Sequence, residues 1–383
     1  MSTVFWTSVI VIAYCYFGYP LATWLLARLR PNPVTKDELV EGVSIVFSAW
    51  NEQDVIAAKI RNLLAVDYPA DKMEILIGSD GSTDNTNAIV EGIRDPRVRF
   101  FKHADRRGKM VTINELVAAS CQPIIIFNDA RQELAPNAVR ELVKNFADPR
   151  IGCVSGELIF RPREGQAARG VGLYWQYEKF IRNCESVVHS MLGATGAIYA
   201  IRRELYQNVP ADVVLDDMWI PLHIIKKGYR AVFDGAARAF DDVAATAEEE
   251  HRRKTRTLFG NYQLFSRMPE MLVPWRSPVA WQLFSHKLLR LAVPFAMMLT
   301  FVSSAALVSY PFFLLMFGLQ VIFYLAAFVG GLSGGGESPH MRVVKRICYV
   351  PYIFCVLNYS ALVGLWRFLG AGQRVTWQKA RQN

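Results

Sequence analysis

The chain has 383 residues, 52% of them apolar and only 20% charged, with a formal net charge of +9. That composition leans away from an ordinary soluble domain and towards a membrane protein, and the positive balance suits a partner carrying phosphates. Six scattered cysteines (Cys15, Cys121, Cys153, Cys184, Cys348 and Cys355) form no CxxC pair and no His/Cys cluster at zinc spacing, so they read as small apolar fillers in a reducing compartment.

Residues 4–27 contain no charge, and ~20 apolar residues suffice to cross the hydrocarbon core. No basic residue precedes this run and no small-residue cleavage site follows, which favours an uncleaved anchor over a signal peptide. Arg28, Arg30 and Lys36 follow it. The positive-inside rule then puts the amino terminus outside and the next domain in the cytoplasm; the expected membrane is a bacterial inner one.

From Gly42 to about Gly235, short apolar runs alternate with helical stretches. Residues 43–47, 74–78, 98–101 and 123–127 read as strands rich in Val, Ile and Phe. Asn51 is expected to cap a helix running to Ala65, and Ser82 or Thr83 one running to Ile93. Residues 109–119 and 136–146 give two more helices. The alternation predicts an α/β domain with a mostly parallel, doubly wound sheet, whose ligand sits at the carboxyl ends of the strands. Polar clusters follow three strands directly, at 49–52, 79–82 and Asn128-Asp129, and so share one rim.

On that rim, Asp80 can accept hydrogen bonds from a nucleobase or ribose, while Gly81 lets backbone approach a ligand. Ser82, Thr83 and Asp84 equally suit a helix cap. Further on, Gly193 and Gly196 in GATGAIYA allow a close backbone approach or a tight turn. Asp216 and Asp217 open a stretch, 218–227, that looks helical. Adjacent like charges raise one pKa, as a base would need, and a helix amino terminus favours acidic residues in any case. Arg253 and Arg256 share a helical face. HRRKTR also fits a basic helix lying on anionic lipid, whereas no recognition motif accompanies it for nucleic acid.

Residues 277–290 mix Trp, Leu and Phe with Lys and Arg, as an interfacial helix does. No charge lies between Arg290 and Glu337, room for two spans with Ser309-Tyr310-Pro311 as the turn. LSGGGESPHMRVVKR reads as a flexible basic loop, and residues 347–366 as a third span. Three spans put the carboxyl terminus outside, yet Arg367, Arg374, Lys379 and Arg381 are basic. Either the charge rule is weakly violated or one segment is re-entrant. The expected division is an anchor at 1–30, a cytoplasmic domain at 42–261, interfacial helices at 262–290, membrane segments at 291–369 and a basic tail at 370–383.

SIVFSAWNEQDVIAAKIRNLL followed by EILIGSDGSTDNT resembles the nucleotide-binding half of a family 2 glycosyltransferase with the GT-A fold. The likeness continues in order through RRGKMVTINELV, IIIFNDARQELAPNAV, GATGAIYAIRREL, VVLDDMW and HRRKTR. With its flanking apolar segments the chain resembles the membrane-embedded branch that includes cellulose, chitin-oligosaccharide, hyaluronan and poly-N-acetylglucosamine synthases.

The resemblance implies an inverting transfer from a nucleotide sugar, UDP-linked, to a growing polysaccharide or oligosaccharide at the membrane. A single addition to a lipid-linked or glycolipid acceptor is the alternative, and a donor-binding scaffold without catalysis a second. Trp50 and Glu52 fall in the family's base-contacting loop, and Lys109 in its GK element, where a cation balances donor charge. Asp129 fills the first position of Asp-x-Asp, which holds Mg²⁺ or Mn²⁺ against the diphosphate. Arg131 fills the second and cannot ligate a cation, though it can bind phosphate oxygens. Three arrangements stay open: Asp129 alone with diphosphate and water, Asp129 helped by Glu133, or Arg131 in place of part of the metal's charge.

Asp217 aligns with the family's base, and Asp216 would orient the acceptor or the base. Arg253 and Arg256 match the RxxR of QxxRW and would grip the leaving diphosphate. Thr257 stands where the family has Trp, so stacking under the acceptor would come from Tyr174 or Trp175. Gly193, Thr195 and Gly196 would lie beneath the acceptor sugar. A homo-oligomer or export partner would accompany a processive enzyme.

Overall fold

Among the described residues, eight strands form one sheet. They are β1 (Val43–Ala49), β2 (Met73–Asp80), β3 (Val98–His103), β4 (Ile124–Asn128), β5 (Glu133–Leu134), β6 (Ile151–Arg161), β7 (Ile198–Arg202) and β8 (Arg230–Asp242). Their spatial order is β3-β2-β1-β4-β7-β6-β8-β5. The computed structural model describes residues 1–161, 166–242, 247–332 and 339–371. The first four strands are mutually parallel, as expected, whereas β7 runs antiparallel to both β4 and β6.

Strand period sorts the core into two layers. Ile45, Phe47, Ile75 and Ile126 face helices Ile56–Leu64 and Ala138–Lys144, while Val46, Leu76 and Ile125 face helices Lys109–Ala119 and Asp216–Lys226. A sheet covered on both faces reads as unbroken apolar runs, which is why β1, β2 and β4 stand out in the sequence. The chain winds from β1 outwards to β3 and then returns to place β4 on the other side of β1. Trp50 and Asp129 therefore flank the topological switch point, where sheets of this kind take their ligands.

Two caps differ from expectation. The helix after β1 begins only at Ile56, and Asn51 adopts a left-handed φ of 53°. Its side-chain carbonyl accepts the Thr83 amide at 2.8 Å, so it ties two rim turns together instead of opening a helix. The next helix is short, Thr86–Glu91, and Asp84 takes the Thr86 amide at 3.0 Å.

Among the described residues, four helices are long and apolar enough to cross a membrane: Ser2–Leu29, Ala280–Ala305, Pro311–Gly331 and Ile347–Gly370. The stretch expected at the interface, 277–290, is continuous from Ala280 with the second of these. The loop expected from 332 to 346 is shorter, because a helix starts at Pro339, whose fixed φ suits a first helical position. Two π-helical turns, Tyr14–Gly18 and Leu283–Leu288, lie inside the first two long helices. Beside them Tyr19 donates to Glu185 at 2.5 Å, His286 Nδ1 lies 2.7 Å from the same carboxylate, and Arg290 pairs with Glu178. These contacts fasten the membrane-length helices to helix Gln166–Val188 of the sheet domain.

The last long helix packs at both ends on neighbours. A Cβ on Gly330 would meet the Cys348 carbonyl at 2.2 Å, and one on Gly364 the Phe259 amide at 3.0 Å. His251 also lies 2.8 Å from the Ser360 hydroxyl.

Candidate active site

One side of the rim is built around Asp80. Its carboxylate ends β2 and accepts the backbone amides of Arg107 at 2.7 Å and of Gly108 at 3.0 Å, fixing the loop that leads into Lys109. Gly81 has φ +67°, and a Cβ there would sit 2.6 Å from the Arg106 nitrogen, so the turn admits only glycine without a shift. The same loop lays the Arg106 guanidinium over Trp50, 3.5 Å from the ring centroid. Glu52 is buried, with its amide donating to Thr86 Oγ1 at 2.8 Å.

At the centre, Lys109 bridges two carboxylates: its Nζ lies 3.2 Å from Asp129 Oδ1 and 3.3 Å from Asp216 Oδ2. Burial works to lower the ammonium's pKa, but the two carboxylates outweigh it and hold the group above its ordinary value. Arg256, on helix Ala247–Arg267, is lowered by burial and opposed by Asp216, Asp217 and Asp129. Asp217 lies deep in the cleft yet keeps some solvent contact. Burial, then the neighbouring Asp216 charge, pushes its carboxyl up to about 6 against the pull of Lys109, Arg256 and Arg182.

The glycine loop packs on the start of the Asp216–Lys226 helix. Ala194 donates its amide to the Asp217 carbonyl at 2.7 Å. A Cβ on Gly193 would meet Met218 Cγ at 2.6 Å, and one on Gly196 would stand 3.6 Å from Asp217 Oδ2. Thr195 Oγ1 accepts from Arg182, and its amide donates to Ser155 at 2.9 Å. The loop thus forms one wall beside the Asp217 carboxylate.

The arginines of RxxR part company. Arg256 faces the three carboxylates, whereas Arg253 lies over Phe160 and Trp175, each ring centroid 5.7 Å away, with Lys254 also 5.5 Å from Trp175. The side chain of Tyr174 falls outside the described residues. Arg131 stands partly exposed in the turn between β4 and β5. Glu133 pairs with Arg161 at the end of β6.

For a divalent cation, the described residues hold no group of three His, Cys, Asp or Glu side chains placed to bind one. Asp129 is nonetheless about one-third exposed, and Mg²⁺ is commonly held by one or two carboxylates plus substrate phosphates. The donor set therefore fits an ion shared with a diphosphate. It does not fit one caged by protein alone.

The sequence pattern missed Arg106 and Arg182. The first adjoins Lys109 and was within reach of motif reasoning. The second stands 35 residues before Asp217 in the chain and meets it only through the fold.

Residues 44–209 match the family model described as Glycosyl transferase family 2. Over 266 residues the chain is 24% identical to a poly-beta-1,6-N-acetyl-D-glucosamine synthase of Staphylococcus aureus, covering 67% of this chain and 63% of that protein, less than two thirds of its length. Over 334 residues it is 24% identical to a beta-monoglucosyldiacylglycerol synthase of Synechocystis sp., covering 77% of this chain and 67% of the relative. In structure it is similar to the mannosyltransferase PcManGT of Pyrobaculum calidifontis, solved in complex with GDP-Man and Mn²⁺. That likeness has a TM-score of 0.71 at 22% identity and covers 96% of this chain and 99% of the other. Residues 44–209 thus match the family 2 glycosyltransferase model within a chain that shares its fold with that mannosyltransferase and that, among the described residues, has four helices of membrane-spanning length.

Proposed function

We propose that the protein is an inverting glycosyltransferase that moves a sugar from a UDP-sugar, or a related nucleotide sugar, to a saccharide or glycolipid acceptor held at the membrane. The observation that carries this reading is the meeting of Asp129, Asp216 and Asp217 with Lys109 and Arg256 at the switch point of the sheet. Trp50, stacked by Arg106, offers a face for the nucleobase, with Glu52 and Asp80 supporting the two loops around it.

The acceptor hydroxyl attacks the anomeric carbon while Asp217 takes its proton. The bond from that carbon to the diphosphate oxygen breaks, and the nucleoside diphosphate leaves on the opposite face, so configuration inverts. Lys109, Arg131 and Arg256 balance the charge that gathers on the leaving group. A divalent cation, held by Asp129 and the diphosphate, would supply further Lewis-acid stabilisation of the same charge. Asp216 keeps Lys109 in place, and Trp175 with Arg253 frames the acceptor side along with Gly193, Thr195 and Gly196.

Polymer extension and a single addition differ in what the membrane helices must do. Four such helices are few for a polymer channel, so a processive enzyme would call for a second copy or an export partner, while a lipid-linked acceptor would need neither. Release of nucleoside diphosphate from UDP-, GDP- and dTDP-sugars by detergent-solubilised protein, with lipid or oligosaccharide acceptors, tests the reading. Turnover with none of these pairs, under any metal condition, would turn the assignment towards a donor-binding scaffold.

Arg131 makes metal dependence testable. Chelation with EDTA should lower the rate without abolishing it, and Arg131→Asp should convert partial loss into complete loss, rescued by Mn²⁺ or Mg²⁺. Complete loss in the unaltered protein would remove Arg131 from the role of charge partner.

The end of the chain carries a second expectation. The final helix packs its last turns on helix Ala247–Arg267, which carries Arg256, through Gly364 against Phe259 and Ser360 beside His251. We read that helix as re-entrant or interfacial, with its carboxyl end on the catalytic side in the cytoplasm, which removes the conflict with the basic tail. A reporter fused after Asn383 should share the compartment of one inserted in the catalytic domain. Opposite compartments would restore a full crossing.

A further inference from the structure

Helix Ile56–Leu64 follows β1 and packs one face against the sheet. That buried face carries a lysine among its apolar residues. Lys59 is 2% exposed, and its ammonium donates to Asn128 Oδ1 and to the Gln132 carbonyl. These two acceptors bracket the turn that holds Asp129 and Arg131. Asn128 in turn donates its side-chain amide to the Ala197 carbonyl, at the end of the glycine loop. In the same loop, Ala194 donates its own amide to the Asp217 carbonyl at 2.7 Å. Hydrogen bonds thus join a buried lysine to the donor-side turn, and the acceptor loop to the residue read as base.

We propose that Lys59 is a positioning residue that holds the Asp129 turn and the Ala194–Ala197 loop in one register. The inference rests on reading Asp129 as the donor-side carboxylate and Asp217 as the base. Neutral core residues would fill the same space without the desolvation of a charge. What they would lack is an ammonium's three donors on a stem long enough to reach both ends of the turn. Burial pushes the Lys59 pKa down to about 7 even though the Asp129 and Glu133 charges oppose the change. Lys59 is buried beneath the turn, so its effect on the reaction passes through Asn128.

Hydrogen–deuterium exchange on the full-length protein in detergent tests this without relying on turnover. In Lys59→Met, amides of 128–132 and of 193–198 should both exchange at least about tenfold faster, while helix 109–119 keeps its protection. Asn128→Ala should loosen 193–198 in the same way, and it serves if Lys59→Met does not fold. Where turnover is measurable, kcat should fall by about tenfold to a hundredfold, as expected of displaced reacting groups, with donor Kd changed by less than about threefold. Unchanged exchange at 193–198 in either variant would overturn the proposal. So would uniform loss of protection across the domain, which would make Lys59 a folding residue only. Selective loosening of both segments in a protein with no turnover would leave the positioning role intact and count against the assigned reaction instead.

Discussion

Asp217→Asn should lower kcat by about a hundredfold to ten-thousandfold, the range general-base catalysis supplies, and leave donor binding nearly unchanged. The substitution keeps the shape of the side chain, so the 2.7 Å contact between its carbonyl and Ala194 survives. Lys109 keeps both its carboxylate partners, because it touches Asp129 and Asp216. What is lost is the ability to take up a proton, the role proposed for this carboxylate. Titration calorimetry with a nucleoside diphosphate, run beside the rate assay, separates the two effects. A variant that retained a tenth of the rate would move the base elsewhere.

The same residue sets a pH dependence. Asp216, Lys109, Arg256 and Arg182 face Asp217, and burial with the Asp216 charge lifts its carboxyl to about 6. Because the base acts when deprotonated, kcat should rise with pH through that region and level off above it. Stability runs the other way. The folded protein holds a proton on Asp217 that the unfolded chain, with an ordinary Asp pKa of ~4, has released. Between those two pH values the folded state binds more protons, so stability falls as pH rises. The carboxamide of the variant cannot ionise, and Asp217→Asn should therefore raise Tm near neutral pH while it removes activity. A variant that lost both would be explained by damage to the fold.

Why the parallel half of the domain was legible and the rest was not follows from burial. β1, β2 and β4 are covered on both faces and each is followed by polar residues at the rim, so runs such as Ile124–Asn128 announce both a strand and its site end. The second half lacks that signature. β6 and β8 are long, bulged and solvated towards their ends, and β5 is two residues long. No local pattern specifies that β7 inserts antiparallel between β4 and β6, since that order depends on which edges remain to be paired. At the site, ordered motifs pointed to Asp129, Asp217 and Lys109, which the fold does bring to one cleft. Contacts through space were silent: Arg106 on Trp50, Arg182 at Thr195 and Lys59 beneath Asn128 each join segments whose sequences carry no mark of one another.

Arg256→Ala and Arg253→Ala should separate by about tenfold or more in kcat, although the two arginines occupy one motif. Arg256 faces Asp129, Asp216 and Asp217 and donates towards the Val214 carbonyl at 3.4 Å. Removing it leaves three carboxylates with Lys109 as their nearest remaining cation, and deprives the leaving diphosphate of a fork that matches its oxygens. Loss of one such transition-state donor costs about a hundredfold to a thousandfold in kcat. It also raises the Asp217 pKa, because one of the charges that favoured its ionised form is gone. The acid limb of the pH–rate profile should therefore move to higher pH in Arg256→Ala. Arg253 instead rests against Phe160 and Trp175, where a cation over aromatic faces contributes packing and about 0.5–2 kcal/mol. Its loss should alter acceptor KM more than kcat and leave the acid limb where it was. Equal losses in the two variants, with the same pH shift, would mean that both guanidinium groups reach the diphosphate once the donor is bound, and that the separation seen between them closes during turnover.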